Sequence, residues 1–564
     1  MTDTPTHPAT ITLISDFNAD TFVRTLMAAR PSVEAKTTPF GRPHEALRTV
    51  GNNAPAQTDT LIVWTQPHGA VASFAQAQTF APYDAQQVLD EVDAFAGLIA
   101  SAARTHRAVF VASWATPRAA RGLGPLDFKP HTGLHHLLAT MNLRLAQCLA
   151  DIPNTFILDT ERWLSASGGD AAWSPKMWAA AKVPYAAKVF HHAATDVYAA
   201  MDALAGRSRK LIILDLDDTL WGGVVGETGW GGIALGGHSL KGEAFLAFQQ
   251  RLKALTRRGI VLAIASKNDE AVALDALTHH PDMVLRPGDF AGWRINWTDK
   301  ATNIAELLRE LKLGADAAIF IDDNPAERAR VAQALPGILV PDWPTDPTLA
   351  AGTLDALPCF DTVAVTNEDR VRSELYAAER QRTAAATPGM SQDEWLDQLG
   401  VHIEATPLNA ANITRAAQLF NKTNQMNMAT RRMTADDLLA WSAKAGHHVL
   451  TVRVSDKFGD YGLTGIVGIA CEGSKATITD FLLSCRVMGR GVEQAMVHLA
   501  AQWAACAGAE TLTAHLTPTE RNRPCQEFWA ASGFDRDAPD VFSWSLSTPY
   551  PAPASITLDT QVAA

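Results

Sequence analysis

The run LIILDLDDTL at positions 211–220 constrains the fold of this chain more than any other feature. An apolar stretch long enough for a buried strand leads directly into the carboxylates Asp215, Asp217 and Asp218. Carboxylates at the end of a buried strand are costly unless a cation binds there. In a doubly wound sheet that end of the strand forms the ligand crevice. The pattern therefore predicts a parallel α/β domain with a cation site, and the bland alternative is a solvated turn.

Polar residues also follow two later apolar runs of the same region. IVLAIAS ends on Ser266, AAIFIDD ends on Asp322 and Asp323, and Lys300 stands at a predicted helix start between them. Because the carboxyl ends of parallel strands converge, these side chains are expected to meet. A nucleophile, a hydroxyl, an ammonium and a carboxylate pair are what phosphoryl transfer needs, with Mg²⁺ as the hard cation that carboxylates bind.

These four motifs, in this order and spacing, resemble those of the haloacid dehalogenase (HAD) superfamily of phosphotransferases. The resemblance implies that Asp215 attacks phosphorus and that Asp217 acts as general acid and then as general base. Asp218 occupies the variable motif position and is left out of the chemistry. The chain between Asp215 and Lys300 is too short for a cap domain. The resemblance implies that Ser266, Lys300 and Thr219 bind the phosphate. It implies that Asp215, the Asp217 backbone carbonyl and Asp322 bind Mg²⁺ directly, and that Asp323 supports this metal site from next to those ligands.

A second motif, Arg486-x-x-Gly489-x-Gly491, joins a predicted strand to a predicted helix. Glycines at such a junction let backbone amides face an anion. The helix, strand and Asn522 that follow resemble the GNAT acyltransferase fold, whose loop binds the pyrophosphate of a pantetheine cofactor. The alternative is a turn made for packing. Cys485 precedes the loop and is predicted to be a catalytic thiol, while the other cysteines are expected to be structural. The resemblance assigns the pantetheine or acyl group to Arg486, Gly489, Arg490, Gly491 and Asn522.

The motif set as a whole resembles the FkbH-like family, the HAD-type glyceryl transferase/phosphatases of polyketide pathways. The motifs are DLDDTLWGGVVGE, SKNDE, FIDDNPAER, NKTNQMNMATRRMT, DKFGDYG and LLSCRVMGRGVE, between about 205 and 540. The resemblance implies that 1,3-bisphosphoglycerate is captured as a thioester on Cys485 and that the HAD site removes its phosphate. The glyceryl group then passes to the phosphopantetheine of an acyl carrier protein. The alternatives are a simple HAD phosphatase with a substrate-binding GNAT-like domain, a non-catalytic carrier-protein scaffold and an acetyl-CoA-dependent transferase.

The first part of the chain alternates apolar runs such as ITLISDF and TLIVW with helical patterns, which predicts a parallel sheet. It resembles the SGNH-hydrolase-like domain of the longer family members. An active SGNH hydrolase needs Gly-Asp-Ser after the first strand, where this chain has Ser15-Asp16-Phe17-Asn18, and an Asp-x-x-His that does not occur before residue 205. We expect this domain to be catalytically inactive and to serve as a docking surface or as the missing cap.

The predicted fold class is α/β multidomain, with an SGNH- or flavodoxin-like domain, a HAD-like Rossmannoid domain without a cap and a GNAT-like α+β domain. The formal charge of −12, from 48 Lys and Arg against 60 Asp and Glu, argues against a nucleic-acid partner. No apolar run approaches the ~20 residues of a membrane helix, and the start lacks a signal-peptide pattern, so a cytoplasmic protein is expected. The predicted boundaries are 1–205, 206–347, a helical connector at 348–398, 399–550 and a disordered tail at 551–564.

Overall fold

The computed structural model describes residues 9–52, 60–116, 121–237, 239–363, 392–457 and 459–560. Contacts divide the chain into two compact units, Met1–Met201 and Asp202–Ala564. The second unit carries both the predicted HAD-like and the predicted GNAT-like parts. We call the part up to residue 363 the central domain and the part from residue 392 the C-terminal domain.

The first unit is a parallel sheet with helices between its strands. Its strands are β1 (Ala9–Ser15), β2 (Val33–Thr37), β3 (Thr60–Trp64), β4 (Ala108–Ala112) and β5 (Thr155–Leu158), in the order β2-β1-β3-β4-β5. This is the flavodoxin-like order. The longer helices are Asp20–Ala29, Pro43–Asn52, Ala85–Ala103, Leu134–Leu149 and Ala187–Leu204. Strands β3 and β4 are buried along their whole length because helices cover both faces of the sheet.

The central domain repeats this architecture on a smaller scale. Its parallel strands are β6 (Leu211–Leu214), β7 (Val261–Ser266), β8 (Phe290–Ile295) and β9 (Ala318–Ile321), in the order β8-β7-β6-β9. The helices Leu240–Thr256, Glu270–His279, Lys300–Glu310 and Pro325–Ala334 connect and flank them. Between Asp215 and Lys300, the described residues contain no further domain, so the predicted absence of a cap is confirmed.

One strand of the central domain lies elsewhere than its sequence pattern indicates. The apolar run MVLR at 283–286 predicts a strand, but the strand is β8, a few residues later. Met283 and Leu285 are buried in the domain core, so the apolar character of this run reflects packing by a loop. Pro287 then interrupts the chain, and β8 contains Gly292, which weakens its strand signal.

The C-terminal domain is built on a mixed sheet with helices on it. Its strands are β10 (Val401–Pro407), β11 (Met426–Asn427), β12 (His447–Asp456), β13 (Gly459–Glu472), β14 (Lys475–Leu483), β15 (Thr511–His515), β16 (Asp535–Ala538), β17 (Val541–Ser545) and β18 (Ile556–Thr560). Their order is β16-β17-β15-β14-β13-β12-β10-β18, and β11 pairs with the end of β14. The helices are Gln392–Leu399, Ile413–Lys422, Ala435–Ser442, Val492–Cys506 and Arg523–Ala531.

The predicted disordered tail at 551–564 is wrong for the part of it that the structure describes. Residues 556–560 form β18, which pairs in parallel with β10. Ile556 is buried in the domain core opposite Val401. Ile556 and the partly buried Leu558 pack against the core at the edge of the sheet, which the Ala- and Pro-rich composition of the segment conceals. The C-terminal domain therefore extends beyond the predicted limit at residue 550.

The predicted connector at 348–398 is only partly within the described residues. It begins with the short helix Ala350–Asp355 and ends with the helix Gln392–Leu399, and its middle, 364–391, lies outside the described residues. Leu396 and Leu399 pack into the core of the C-terminal domain, so the last helix belongs to that domain. Among the described residues, no helix combines the length and apolar character that crossing a membrane requires.

Candidate functional site

The carboxylates that follow β6 and β9 lie side by side. Asp215 comes directly after β6 and Asp322 directly after β9, and these two strands are paired neighbours. Lys300, the first residue of the helix Lys300–Glu310, bridges them with its Nζ 3.0 Å from Asp215 Oδ2 and 2.6 Å from Asp322 Oδ2. All three side chains are buried. The structure thus brings together three of the predicted site residues.

The helix that carries Lys300 is placed by its own cap. Asp299 accepts a hydrogen bond from the Thr302 amide and so fixes the helix start immediately after the loop that follows β8. Asp269 and Asn324 cap the helices that follow β7 and β9 in the same way. β7, β8 and β9 therefore each pass through a short polar loop into a capped helix, which holds the loop residues at one edge of the sheet.

Three carboxylates form a group that could hold a metal ion. Oxygens of Asp215, Asp322 and Asp323 lie within 4.8 Å of one another. Burial, followed by the negative charge of Asp215, raises the pKa of Asp322 to about 6 and raises the pKa of Asp323 as well. Lys300 supplies one positive charge against three carboxylates, so the cluster keeps an excess of negative charge. Burial alone would lower the pKa of the Lys300 ammonium, but the charges of Asp215 and Asp322 raise it. Hard oxygen donors with uncompensated charge fit Mg²⁺.

Asp217 is held in one orientation by three donors. Its Oδ1 accepts from the Trp221 indole at 2.8 Å and from the Val225 amide at 3.1 Å, and its Oδ2 accepts from Asn268 Nδ2 at 2.9 Å. Burial, more than the neighbouring Asp215, raises the pKa of this carboxyl. A raised pKa keeps a carboxyl protonated closer to neutrality, which suits a general acid.

The remaining predicted residues of the central domain occupy different positions around this cluster. Ser266 ends β7 beside β6 and is buried. The Thr219 hydroxyl donates to Asp323 Oδ1 at 3.3 Å and accepts from the Asp323 amide at 3.1 Å, so in this structure it positions Asp323. The assignment of Ser266 and Thr219 to a phosphate stays a prediction.

The Asp218 carboxylate is engaged with residues outside the cluster, and leaving it out of the chemistry stays a prediction. Its backbone is left-handed, with φ of 52°. Its Oδ1 accepts from the Gly223 amide at 2.9 Å and from Lys241 Nζ at 2.7 Å. Burial alone would raise the pKa of Asp218, but the bond from Lys241 lowers it. Asp218 therefore fixes the segment that follows the motif.

Two residues of this site escaped assignment from the sequence. Asn268, which holds Asp217, lies in the motif SKNDE, and Arg328, in FIDDNPAER, donates at 2.7 Å to the backbone carbonyls of both Asp322 and Asp323. Both motifs were recognised as units, but single residues within them carry no sign of a role. Only the contact geometry shows that Asn268 orients the Asp217 carboxylate and that Arg328 holds the backbone of Asp322 and Asp323.

A second candidate centre lies at the thiol of Cys485, in the C-terminal domain. Cys485 opens a single helical turn, Cys485–Val487, after β14, and its side chain is half-buried. It lines a cavity of about 480 Å³ together with Ser484 and Arg486. Arg486 Nε donates to Ser484 Oγ at 3.2 Å. The structure thus places the predicted thiol and Arg486 at one cavity.

The loop after Cys485 has glycines in a backbone conformation that favours glycine, but its Gly489 amide is not open to an outside anion as predicted. Gly489 and Gly491 both adopt φ of 76°, where a side chain would be strained. The Gly489 amide donates to Glu493 Oε1 at 2.7 Å, so a buried carboxylate of the same chain takes the place of an outside anion. A side chain at Gly491 would meet Ile556 of β18. This arrangement contradicts the predicted anion-binding role of the Gly489 amide.

Arg490 and Asn522 also have internal roles instead of the predicted ones. The Arg490 guanidinium is buried, 3.4 Å from Asp456 Oδ2 and in contact with the Tyr461 hydroxyl. Its charge balances a carboxylate that is itself fully buried, so its side chain is not open to a pyrophosphate. Asn522 is fully buried, and its Nδ2 donates to the carbonyls of Asn427 and Thr517 at 2.9 Å each. Both residues hold the domain together.

The two candidate centres lie at opposite ends of the central sheet. The thiol cavity is lined by Lys210, Val261 and Ala317, which stand at the amino ends of β6, β7 and β9. Asp215 and Asp322 stand at the carboxyl ends of the same sheet. Asp215 follows Lys210 by five steps of extended chain, about 17 Å at 3.3 Å per residue.

In the first unit, the end of β1 shows how the Ser15-Asp16 segment is used. The Ser15 hydroxyl is buried and donates to the Phe17 carbonyl. Asp16 Oδ1 accepts from the Gln66 amide at 2.8 Å, and burial raises the pKa of Asp16 to about 6. Ser15 thus holds the local turn, Asp16 joins the end of β1 to the segment after β3, and the inactivity of this domain stays a prediction.

No protein-family model matches the chain, and no curated protein matches it. Among solved structures, the chain is similar to the N-terminal part of a Bacteroides fragilis protein, which contains a phosphatase domain and is complexed with Mg. The two are 26% identical over 64% of this chain and 96% of that one, with a TM-score of 0.58. A putative GNAT acetyltransferase from Desulfovibrio desulfuricans matches at 14% identity over 26% of this chain and 99% of that one, with a TM-score of 0.20. Spermidine N-acetyltransferase from Vibrio cholerae, in complex with CoA and spermine, matches at 14% identity over 26% of this chain and 97% of that one, with a TM-score of 0.22. The predicted α/β multidomain fold class is confirmed, and the chain shares its architecture with a Mg-containing phosphatase structure.

Proposed function

We propose that this chain is a Mg²⁺-dependent phosphatase that also transfers an acyl group. The observation that carries the phosphatase part is the bridge from Lys300 to Asp215 and Asp322, with Asp217 oriented beside them. This is a nucleophile, a cation, metal-binding carboxylates and a general acid at one edge of a sheet. The similarity to the Bacteroides fragilis structure with Mg supports the same conclusion.

The residues divide the hydrolysis of a phosphate ester between them. An Asp215 oxygen attacks phosphorus while the ester P–O bond breaks, and Asp217 gives its proton to the leaving oxygen. Asp217 then accepts a proton from the water that attacks the aspartyl-phosphate, which releases inorganic phosphate and restores Asp215. Lys300 and Ser266 hold the phosphate oxygens. When bound at Asp215 and Asp322, Mg²⁺ neutralises charge on the phosphate.

The finer proposal is that the chain acts as an FkbH-like glyceryl transferase. The Cys485 thiolate attacks the carbonyl of 1,3-bisphosphoglycerate, and inorganic phosphate leaves from the acyl phosphate. The HAD-type site removes the other phosphate. The phosphopantetheine thiolate of an acyl carrier protein attacks the thioester and releases Cys485. The motif set supports this proposal, as does the position of Cys485 at a cavity whose volume suits a small molecule.

The test is intact mass spectrometry after the protein is incubated with Mg²⁺, 1,3-bisphosphoglycerate and a carrier protein that bears phosphopantetheine. We expect the carrier to gain a glyceryl group and Cys485 to carry an acyl adduct when the carrier is left out. Cys485→Ala should lose both, and Asp215→Asn should lose phosphate release from the ester. Carrier loading by Cys485→Ala would refute the role of the thiol.

The simpler alternative, a phosphatase whose C-terminal domain only binds substrate, has one observation in its favour. Three of the predicted pantetheine contacts, the Gly489 amide, Arg490 and Asn522, are engaged within the chain. Under this alternative, phosphate release depends on Asp215 while neither Cys485 nor the carrier protein ever gains mass. The same incubation therefore separates the two functions.

A further inference from the structure

The cavity at Cys485 is assembled from two domains. The C-terminal domain contributes the thiol turn and residues of the helix Ile413–Lys422, among them Arg415. The central domain contributes Lys210, which precedes β6, and Lys312, which follows the helix Lys300–Glu310. Neither domain encloses this space by itself. At about 480 Å³, its volume lies within the range of small-molecule pockets.

The lining of this cavity is cationic although the chain is acidic. Six of its lining side chains are Lys or Arg and two are carboxylates, against a net charge of −12 for the whole chain. The two carboxylates are Asp316 and Glu520; the cations are Arg207, Lys210, Lys312, Arg415, Arg486 and Arg521. A concave, low-dielectric site lined by one sign of charge concentrates ions of the other sign.

Ion pairs and hydrogen bonds within the chain hold several of these cations at the cavity. Arg207 pairs with Asp202, and Arg521 with Asp316 across the two domains at 3.4 Å. Arg415 is nine-tenths buried and donates to the Leu463 carbonyl and to Gln418. Lys312 Nζ donates to the Met488 carbonyl at 2.9 Å, which ties it to the loop that follows the thiol. The central domain thus contacts the chain three residues beyond Cys485.

We propose that this cavity is an anion site that binds a phosphate group of a small acyl donor beside the Cys485 thiol, and that Lys210 and Lys312 of the central domain determine its specificity for the anion. The proposal rests on the acyl-transfer function proposed above and adds the residues that select the donor. They belong to the phosphatase domain but lie at the opposite end of its sheet from Asp215. The thiol centre therefore exists only where both domains are present.

The test compares two alkylating reagents that differ in charge. A thiolate displaces iodide from both iodoacetate and iodoacetamide, so the ratio of the two rates at one cysteine reports the local potential. In the full-length protein, mass spectrometry of peptides resolves Cys485 from the exposed Cys506, which serves as the internal reference. We expect the iodoacetate-to-iodoacetamide ratio to be about tenfold higher at Cys485 than at Cys506, to fall with added salt, and inorganic phosphate to protect Cys485.

The variants identify the residues responsible. Lys210→Met with Lys312→Met should bring the ratio at Cys485 close to that at Cys506 and abolish protection by phosphate. The matched control, Lys444→Met with Lys475→Met, removes the same charge from two exposed lysines outside the cavity lining and should leave the ratio unchanged. Equal ratios at Cys485 and Cys506 in the unmodified chain, or an unchanged ratio in the Lys210 and Lys312 variant, would overturn the proposal. A high ratio with phosphate protection but without carrier loading would instead contradict the acyl-transfer function and leave the anion site standing.

Discussion

The side chains of the phosphatase site depend on neighbours that take no part in the chemistry. Asn268 is such a positioning residue, since it donates to one oxygen of Asp217 while Trp221 and Val225 hold the other. A hydrogen bond to a charged group contributes about 1.5–3 kcal/mol. Without Asn268, Asp217 remains in place but is free to turn about the bonds to its other oxygen.

We therefore expect Asn268→Ala to lower kcat/KM for an alkyl phosphate about tenfold to hundredfold. An aryl phosphate with a good leaving group needs less protonation, so its hydrolysis should fall much less. Steady-state kinetics with both substrates measure the difference. Thr278→Ala, on an exposed helix face of the same domain, is the control. Equal losses for the two substrates would show that Asn268 does not act through Asp217.

Asp322 gives the site a pH dependence whose sign follows from its environment. Burial and Asp215 raise its pKa from 3.8 to about 6. Its contribution to the stability of the metal-free fold is thus fully present below 3.8 and is lost as pH rises through about 6. Mg²⁺ binds the ionised form and relieves this loss, and protons compete with it below the folded pKa.

The expected result is that Mg²⁺ raises Tm more at about pH 7.5 than at about pH 5, and that its affinity falls about tenfold per pH unit below 6. Thermal unfolding with and without Mg²⁺ at each pH measures the first effect, and calorimetric titration the second. Asp346→Asn, which removes an exposed carboxylate of the same domain, should leave both unchanged. An equal Tm increment at the two pH values would contradict the assignment of Asp322 as a ligand.

At the scale of elements, the sequence predicts best where an apolar run meets polar residues. The strands before Asp215, Ser266 and Asp322 are recognisable because parallel strands buried on both faces are apolar throughout. The predicted position of β8 is wrong because the apolar signal of this strand is weaker than that of the buried loop before it. The glycine loop lies between a strand and a helix, as its motif predicts, but the burial of Arg490 against Asp456 depends on a residue distant in sequence.

The last strand offers a test of how a short terminal element is held. Ile556 is buried opposite Val401 and would contact any side chain at Gly491, while the next residue, Thr557, is exposed. Ile556→Ala should lower the stability of the C-terminal domain by about 2 kcal/mol, at the low end for a buried isoleucine because it lies on an edge strand. Thr557→Ala should change it little. Denaturant unfolding of the full-length protein measures both, and equal effects would show that β18 is held by its backbone alone.

At the scale of the whole second unit, the central sheet separates the two candidate centres. Asp215 stands at the carboxyl end of β6 and Lys210, at the cavity of Cys485, stands at its amino end, about 17 Å away. A small acid held at one end does not reach the other in this arrangement. Acyl capture and phosphate removal are therefore expected to be independent reactions of one chain, with each requiring only its own residues.

The prediction is that each centre survives inactivation of the other. Asp215→Asn should still form an adduct on Cys485 from 1,3-bisphosphoglycerate, at the rate of the unmodified chain. Cys485→Ala should still release phosphate from a small phosphate ester at the rate of the unmodified chain. Peptide mass spectrometry measures the first and a phosphate assay the second. Loss of the Cys485 adduct in Asp215→Asn would show that acyl capture depends on the phosphatase site and would contradict the independence of the two centres.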